Sequence, residues 1–201
     1  VWCDVPADME DELNRWYNEE HLDEILAIPG VLSAARYIAL IGSPKYLACY
    51  ELANPEVLST SEFQVHRDHP TEWSKKVDIR RRATRFINNN YRQIFPPEVS
   101  PEVAQSSMAP VLQMGRQSIP EDQEDEWNNF YNSVYAPNYE QVPGCIRFRR
   151  YRLHEGPGPK YSVVYEFEHE EVPKSAEWFA AREKSGGALP DTYPRMVHDE
   201  G

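Results

Sequence analysis

The clearest pattern of apolar and polar positions lies in residues 10–21, where large side chains recur at helical spacing. One face of this predicted helix combines apolar and titratable groups, namely Leu13, Trp16, Tyr17, Glu20 and His21. A strand is predicted before the helix at residues 1–5, and the helical pattern stops at Pro29-Gly30. Strands are then predicted at residues 32–41 and 44–52, a helix at about 59–65 and a closing strand at 82–95.

The same order of elements recurs later in the chain, which makes the sequence an internal repeat. Residues 129–137 repeat the helical motif about 114 positions further on, and Val142-Pro143-Gly144 repeats its end. Residues 146–153 and 159–167 match the two strands, 175–181 match the second helix, and 191–197 give a weaker closing strand. Because Pro137 lacks a backbone N–H, we expect its helix to end there, and the first copy to end or kink near residues 21–23.

Each copy has the order strand, helix, strand, strand, helix, strand, which is that of the ferredoxin-like split βαβ motif. Helices on one face of such a sheet leave the other face in need of cover, and two copies supply it by packing sheet to sheet. We therefore predict an α+β protein with two tandem ferredoxin-like (βαββαβ) domains, residues 1–95 and 111–201, that form one intramolecular barrel. The Pro- and Ser-rich residues 96–110 are the predicted linker.

Charge and hydropathy narrow the set of partners. A formal charge of −12 repels phosphate backbones, so no nucleic-acid partner is expected. The basic residues between Lys75 and Arg85 are an exception to this negative charge. They form either a solvated face with arginines at the edge of a strand or a rim that binds anions. The mean hydropathy of −0.71 and the lack of a long apolar run predict no membrane span.

The cysteines bear on location. Cys3, Cys49 and Cys145 form an odd, widely spaced set without a CxxC motif, which favours buried free thiols in a reducing cytoplasm over disulfides. The sequence begins at Val1 without a charged and then apolar leader, so we expect no signal peptide.

The motif at residues 16–21, followed by Ile28-Pro29-Gly30 and by residues 44–47, resembles the EthD-like branch of the dimeric α+β barrel superfamily. The resemblance covers nearly all of residues 1–95 and, more weakly, 110–201. It implies a cavity between helices and sheet in each half, with His21 lining the first. Members include cofactor-free lyases, isomerases, cyclases and monooxygenases as well as haem binders, so the fold alone does not select a reaction.

The second copy departs from this motif, with Tyr135 at the histidine position and Val134 opposite Glu20. Positions that both copies keep are interpreted as scaffold, and positions that only one keeps as candidates for function. We therefore expect the first half to be active and the second to be degenerate. Arg36 and Glu51 recur as Arg150 and Glu166, which favours a structural cross-strand contact.

His21 is the main catalytic candidate. A histidine at a helix C-terminus has its pKa raised, so His21 is either a partner of the helix dipole, a satisfied core histidine, or a general acid/base near neutral pH. Glu20 or Glu24 would orient its ring, with Glu20 preferred, and Tyr17 would hold a substrate oxygen or donate a proton. The candidate substrate-binding residues are Trp16, Arg36, Tyr46, His66 and His69.

His66 and His69 are three residues apart, a spacing that a metal can use, but no complete ligand motif accompanies them and Pro70 marks a helix end. This pair either lies at a helix end on the surface or lines the cavity. We predict no metal ligands. Haem would need a histidine such as His21 or His66 as axial ligand, and nothing else in the sequence indicates it.

These observations favour a cofactor-independent enzyme of the lyase, isomerase, cyclase or dehydratase type, which transfers protons on a small apolar or aromatic oxygenated substrate. The alternatives are a non-catalytic, stress-type barrel that binds a small molecule and a haem-dependent monooxygenase. A homodimer of the tandem barrel is a further possibility.

Overall fold

The computed structural model of the protein describes residues 1–101, 106–186 and 195–198, the last of these by backbone alone. The strands are β1 Trp2–Asp4, β2 Val31–Ile41, β3 Tyr46–Leu52, β4 Arg85–Ile87, β5 Asn90–Phe95, β6 Val111–Gln117, β7 Cys145–Glu155, β8 Tyr161–Phe167 and β9 Arg195–His198. The helices are α1 Glu10–Trp16, α2 Leu22–Leu26, α3 Ser61–Asp68, α4 Glu72–Val77, α5 Ile79–Arg82, α6 Glu124–Phe130, α7 Ala136–Tyr139 and α8 Ala176–Lys184.

The strands form one antiparallel sheet with the order β4-β1-β3-β2-β9-β6-β8-β7-β5. It contains two four-stranded groups, β4-β1-β3-β2 and β9-β6-β8-β7, in which equivalent strands occupy equivalent places. β4 lies at one end of the sheet and β5 at the other, yet only residues 88 and 89 separate them along the chain. The two ends of the sheet therefore lie side by side, which makes the α+β fold consistent with that of a dimeric α+β barrel.

Alternating side chains of the sheet enter two different cores, as the period of a strand requires. In β3, Leu47 packs with Trp2, Tyr37 and Leu112 inside the barrel. Its neighbours Tyr46 and Ala48 pack outward against the helices. The helices of the second half cover a third core made mainly of aromatic side chains, including Tyr131, Tyr135, Tyr139, Phe148, Tyr165 and Trp178.

The Pro-Gly stops belong to this scaffold. Gly30 and Gly144 have φ angles of +92° and +81°, a conformation that L side chains rarely adopt. A Cβ at these positions would lie 2.5 Å from Val57 and 2.6 Å from Val172, respectively. Each glycine thus lets the chain turn closely against the segment that precedes the second helix of its half.

The first helix departs from α-helical geometry just before the predicted position near His21 but does not end there, and the second helix ends at Tyr139, two residues after Pro137. A π-helical turn at Tyr17–His21 joins α1 to α2, and another at Tyr131–Tyr135 joins α6 to α7, so the first helix continues to Leu26 and the second to Tyr139. Pro137 follows this π-helical turn as the second residue of α7, and the helix ends two residues later at Tyr139.

Two short helices, α4 and α5, occupy residues 72–82, where no helix was predicted, and the predicted closing strand divides into β4 and β5. The basic residues of this region are exposed, and Lys75, Lys76 and Arg81 form ion pairs with carboxylates. Residues 191–194 of the weak closing strand, residues 102–105 of the linker and residues 199–201 lie outside the described part. Among the described residues, no helix is long and apolar enough to cross a bilayer.

Candidate functional site

A cavity of about 1340 Å³ opens between the helices and the sheet of the first half and extends to the interior of the barrel. Its helix-side wall includes Trp16, Tyr17, His21, Ile25, Tyr50, Phe63 and His66. Its sheet-side wall includes Leu47, Cys49, Glu51, Leu112, Arg149 and Tyr151. The cavity lining thus combines apolar and aromatic side chains, such as Trp16, Ile25 and Phe63, with many polar and charged ones.

His21 lies at the end of the π-helical turn and is held by aromatic contacts. Its ring stacks on Trp16 with 4.1 Å between centroids, and it meets the edge of Tyr17 at 5.3 Å. The ring of His66, from α3, lies 5.6 Å away. π-Helical turns are frequent at functional sites, but both copies have one, so the turn itself is scaffold and the histidine is what distinguishes the first half.

Two buried polar atoms face each other here without hydrogen bonds. Nδ1 of His21 lies 3.9 Å from Oε2 of Glu24, too far for a hydrogen bond. Neither atom has a partner among the described residues, although both are buried. Buried polar atoms are rarely left unpaired, so this pair marks a place where a ligand or an ion would be stabilised.

Burial, together with the neighbouring His66, lowers the pKa of His21 to about 3. The expectation of a pKa raised by a helix C-terminus is therefore wrong, because the helix continues past His21 and the ring is buried. At neutral pH the imidazole is uncharged, and one of its nitrogens carries a lone pair. Burial also raises the pKa of Glu24.

Tyr17 stands beside the histidine, and Tyr50 lies next to Tyr17. Tyr17 is buried and lies against the guanidinium of Arg36, whose Cζ is 4.5 Å from the ring centroid. The hydroxyl of Tyr50 is buried, and it interacts with the hydroxyl of Tyr17. Burial raises the pKa of both tyrosines, so both are neutral hydroxyl groups that can donate to an oxygen.

The other predicted site residues separate into two sets. Trp16 and His66 line the cavity with His21 and Tyr17. Glu20 instead accepts a hydrogen bond from Oγ1 of Thr71 at 2.6 Å, and the carboxylate that faces the imidazole belongs to Glu24. His69 is exposed at the end of α3 and does not line the cavity.

Arg36 and Tyr46 do not line the cavity either. Arg36 is buried and donates to the side-chain oxygens of Asn14 at 2.7 Å and Asn18 at 3.1 Å. Its strand partner in the register is Ala48 rather than Glu51, so the predicted cross-strand contact is wrong. Arg150 repeats the arrangement by donating to Asn128 and Asn132, which identifies the Arg–Asn pairs as scaffold.

Glu51 takes part in a charged network that links the halves through the barrel. It forms an ion pair with Arg149, whose Nε lies 2.6 Å from Oε1 of Glu166. Nη2 of Arg147 lies 2.6 Å from the other oxygen of Glu166, which is fully buried. The network satisfies the carboxylates that reach the barrel interior.

The second half fills the volume that is open in the first. Tyr139 stands where the first half has Ile25, and its ring lies 4.4 Å from that of Trp178, the counterpart of Phe63. Phe148 pairs with Tyr165 in the register in which Ala34 pairs with Tyr50. Larger side chains thus occupy the equivalent space. The roles of Tyr50, Ile25 and Phe63 were missed in the sequence, and the size difference between the copies was the available signal.

The sequence matches no family model and no curated protein. Several solved structures have a similar fold. A candidate chlorite dismutase superposes with a TM-score of 0.61 at 15% identity, covering 99% of this chain and 92% of the other. A candidate monooxygenase from Lactobacillus acidophilus NCFM gives 0.59 at 11% identity, with 98% and 90% covered. An anthrone oxidase-like protein gives 0.55 at 13% identity, with 99% and 89% covered.

These neighbours belong to the dimeric α+β barrel superfamily. At such low identities the similarity concerns the fold alone.

Proposed function

We propose that the protein is an enzyme that acts on a small apolar or aromatic oxygenated molecule by proton transfer in the first-half cavity. The reaction would be an isomerisation, cyclisation, dehydration or lyase cleavage and would need no organic cofactor. One observation carries the proposal: the first half keeps an open cavity with an aromatic and apolar wall at Nδ1 of His21, which has no hydrogen bond among the described residues, whereas aromatic side chains fill the same place in the second half.

The geometry supports a distinct role for each group. Trp16, Ile25 and Phe63 supply an apolar wall against which a flat or hydrophobic substrate packs. The hydroxyls of Tyr17 and Tyr50 are suited to hold a substrate oxygen. The imidazole of His21 is suited to accept a hydrogen bond or a proton from the substrate, and Glu24, not Glu20, is placed to orient it.

We further propose that the chain is an EthD-like tandem repeat of two ferredoxin-like units, with a working first half and a degenerate second half. The equivalent strand orders, the repeated π-helical turns and the repeated Arg–Asn pairs support the repeat. The loss of His21 and of the cavity in the second copy supports the division of roles.

The test is a screen of small metabolites for binding and turnover, with wild type, His21→Ala and the matched control His69→Ala. A general acid or base contributes about 10²–10⁴-fold to a rate, so His21→Ala should lose that much while His69→Ala stays at the wild-type rate. If a substrate is found and His21→Ala turns it over at the wild-type rate, the assignment is refuted.

A second candidate is a non-catalytic barrel that sequesters a hydrophobic molecule. The low pKa of His21 favours it, because a base works best when its pKa lies near the working pH. It predicts saturable binding of a small molecule without turnover in the same screen.

A further inference from the structure

We propose that His21, Glu24 and His66 form a binding site for one divalent transition-metal ion. The inference deepens the proposed function, on whose cavity it rests, by naming a cofactor for it. Two of the ligands come from the first helix of the chain, and the third comes from α3.

The donor atoms are already close together. One ligand atom from each of the three residues lies within 4.8 Å of the other two, and Nδ1 of His21 is 3.9 Å from Oε2 of Glu24. Metal–nitrogen and metal–oxygen bonds of about 2.0–2.2 Å place neighbouring ligand atoms roughly 3–3.5 Å apart. Rotations that bring the atoms together by about 1 Å would therefore complete the site.

An ion would also satisfy the unpaired polar atoms. The described residues offer no hydrogen bond to Nδ1 of His21 or to Oε2 of Glu24, although both atoms are buried. Such unpaired groups are costly to bury, and a metal that binds both would remove the cost. The stacking of Trp16 on the imidazole holds the ring of His21 with Nδ1 toward Glu24.

The second half supplies an internal control, because it lacks all three ligands. Tyr135 takes the place of His21, Asn138 that of Glu24, and Ala181 that of His66. Asn138 donates to Oγ of Ser185 at 2.9 Å and so serves the packing of its helix. The nearby scaffold is kept, since Tyr17 and Arg36 recur as Tyr131 and Arg150. All three residues are replaced in the second half, although the residues around them are kept. This pattern indicates that the three residues share one role.

The donor set indicates the class of metal. Two imidazoles and one carboxylate suit iron(II), cobalt(II) or zinc(II), whereas magnesium and calcium prefer oxygen ligands alone. Three protein ligands leave positions for water or a substrate oxygen. Because His21 and His66 line the cavity, those positions would be reached from it. With Nδ1 of His21 bound to the ion, the imidazole would serve as a ligand rather than as the base, and the ion would act as a Lewis acid that polarises a substrate oxygen.

The same geometry excludes the metal pair that the spacing of His66 and His69 suggested. His69 is exposed and lies outside the cavity, while His66 faces the ring of His21. His69 is therefore a matched control, because it is a histidine on the same segment.

The experiment uses the full chain after treatment with EDTA and removal of the chelator. Zn²⁺ is titrated by calorimetry, and Co²⁺ is titrated by visible absorbance, which reports its coordination. We expect one equivalent of each ion to bind to wild type and to His69→Ala. Affinity should fall at least tenfold in Glu24→Gln and His66→Ala, since even groups that only support ligands are worth about 10–100-fold.

Circular dichroism melting verifies that the variants are folded, and Glu24→Gln keeps the shape of the side chain. No saturable binding by wild type, unchanged affinity in both Glu24→Gln and His66→Ala, or an equal loss in His69→Ala would each overturn the proposal.

The result of the metal titration can be distinguished from the result of the metabolite screen that tests the proposed function. Turnover by metal-free protein at the same rate as by metal-loaded protein would overturn the metal inference and leave the enzyme assignment in place. One-equivalent metal binding, weakened by the ligand substitutions, would support the site even if the metabolite screen yielded no substrate.

Discussion

The burial of a neutral His21 predicts that the stability of the metal-free protein depends on pH. The imidazole stacks on Trp16, and its side chain is only 18% exposed, so burial holds its pKa near 3 in the folded state, against an ordinary value of 6.5. As the pH falls, the unfolded chain takes up this proton first. The contribution of His21 to stability is therefore complete above about pH 6.5 and is lost progressively as the pH drops toward 3.

The size of this loss of stability follows from the difference between the pKa of His21 in the folded and in the unfolded protein. Each pH unit in this window costs at most about 1.4 kcal/mol, so the ceiling between pH 6.5 and 4.5 is about 2.7 kcal/mol. Glu24, whose pKa is raised by burial, faces the same ring, and His66 lies beside it, so the informative quantity is the difference in unfolding free energy between two proteins rather than the pH curve of one.

The assay is urea unfolding in EDTA, followed by tryptophan fluorescence, at several pH values from 7.5 to 4.5. Wild type is compared with His21→Gln, which is neutral throughout and keeps a polar side chain. We expect the wild type to lose stability relative to His21→Gln as the pH falls. A difference in unfolding free energy that stays constant from pH 7.5 to 4.5 would refute the burial of a neutral imidazole.

Three further predictions concern the cavity and its supports. Ile25→Tyr, which copies the residue of the second half, should fill the cavity and weaken binding of small aromatic ligands about tenfold or more in a fluorescence titration, whereas Leu26→Tyr on the exposed side should not. Arg149→Met should cost about 3–5 kcal/mol in urea unfolding, because the buried carboxylate of Glu166 loses a charged partner; unchanged stability would contradict this role. Adding hemin should not give the sharp, shifted Soret band of a ligated haem, because the ring of His21 is crowded by Trp16, 4.1 Å away, and by His66, 5.6 Å away.

Much of the fold follows from local pattern. The alternation of β3, the helical stripe at Trp16 and Tyr17 and the turns at Gly30 and Gly144 are governed by neighbours along the chain, and their recurrence pointed to a barrel-like α+β fold. The helix that carries His21 runs further than a helix ending there would, to Leu26, because a π-helical turn joins its two parts, and no sequence pattern announces such a turn.

The site was only partly predictable. His21, Tyr17, Trp16 and His66 were identified because the second copy lacks some of them or because of their chemistry, and they share a cavity in the structure. Arg36 was predicted both to contact Glu51 across the strands and to bind substrate, whereas its guanidinium donates to Asn14 and Asn18, because strand register and helix packing together decide which acceptor a long side chain reaches.

The sequence alone therefore indicated that one order of elements recurs along the chain and that His21 occurs in only one of the two similar stretches, since both are properties of residue order. Tertiary structure decided the state of that histidine. Its neutral form, its place opposite Glu24 and its approach to His66 depend on how α3 packs across the first helix and on how much water that packing excludes. Burial and contacts between distant segments set these properties, and neither can be obtained from residue spacing.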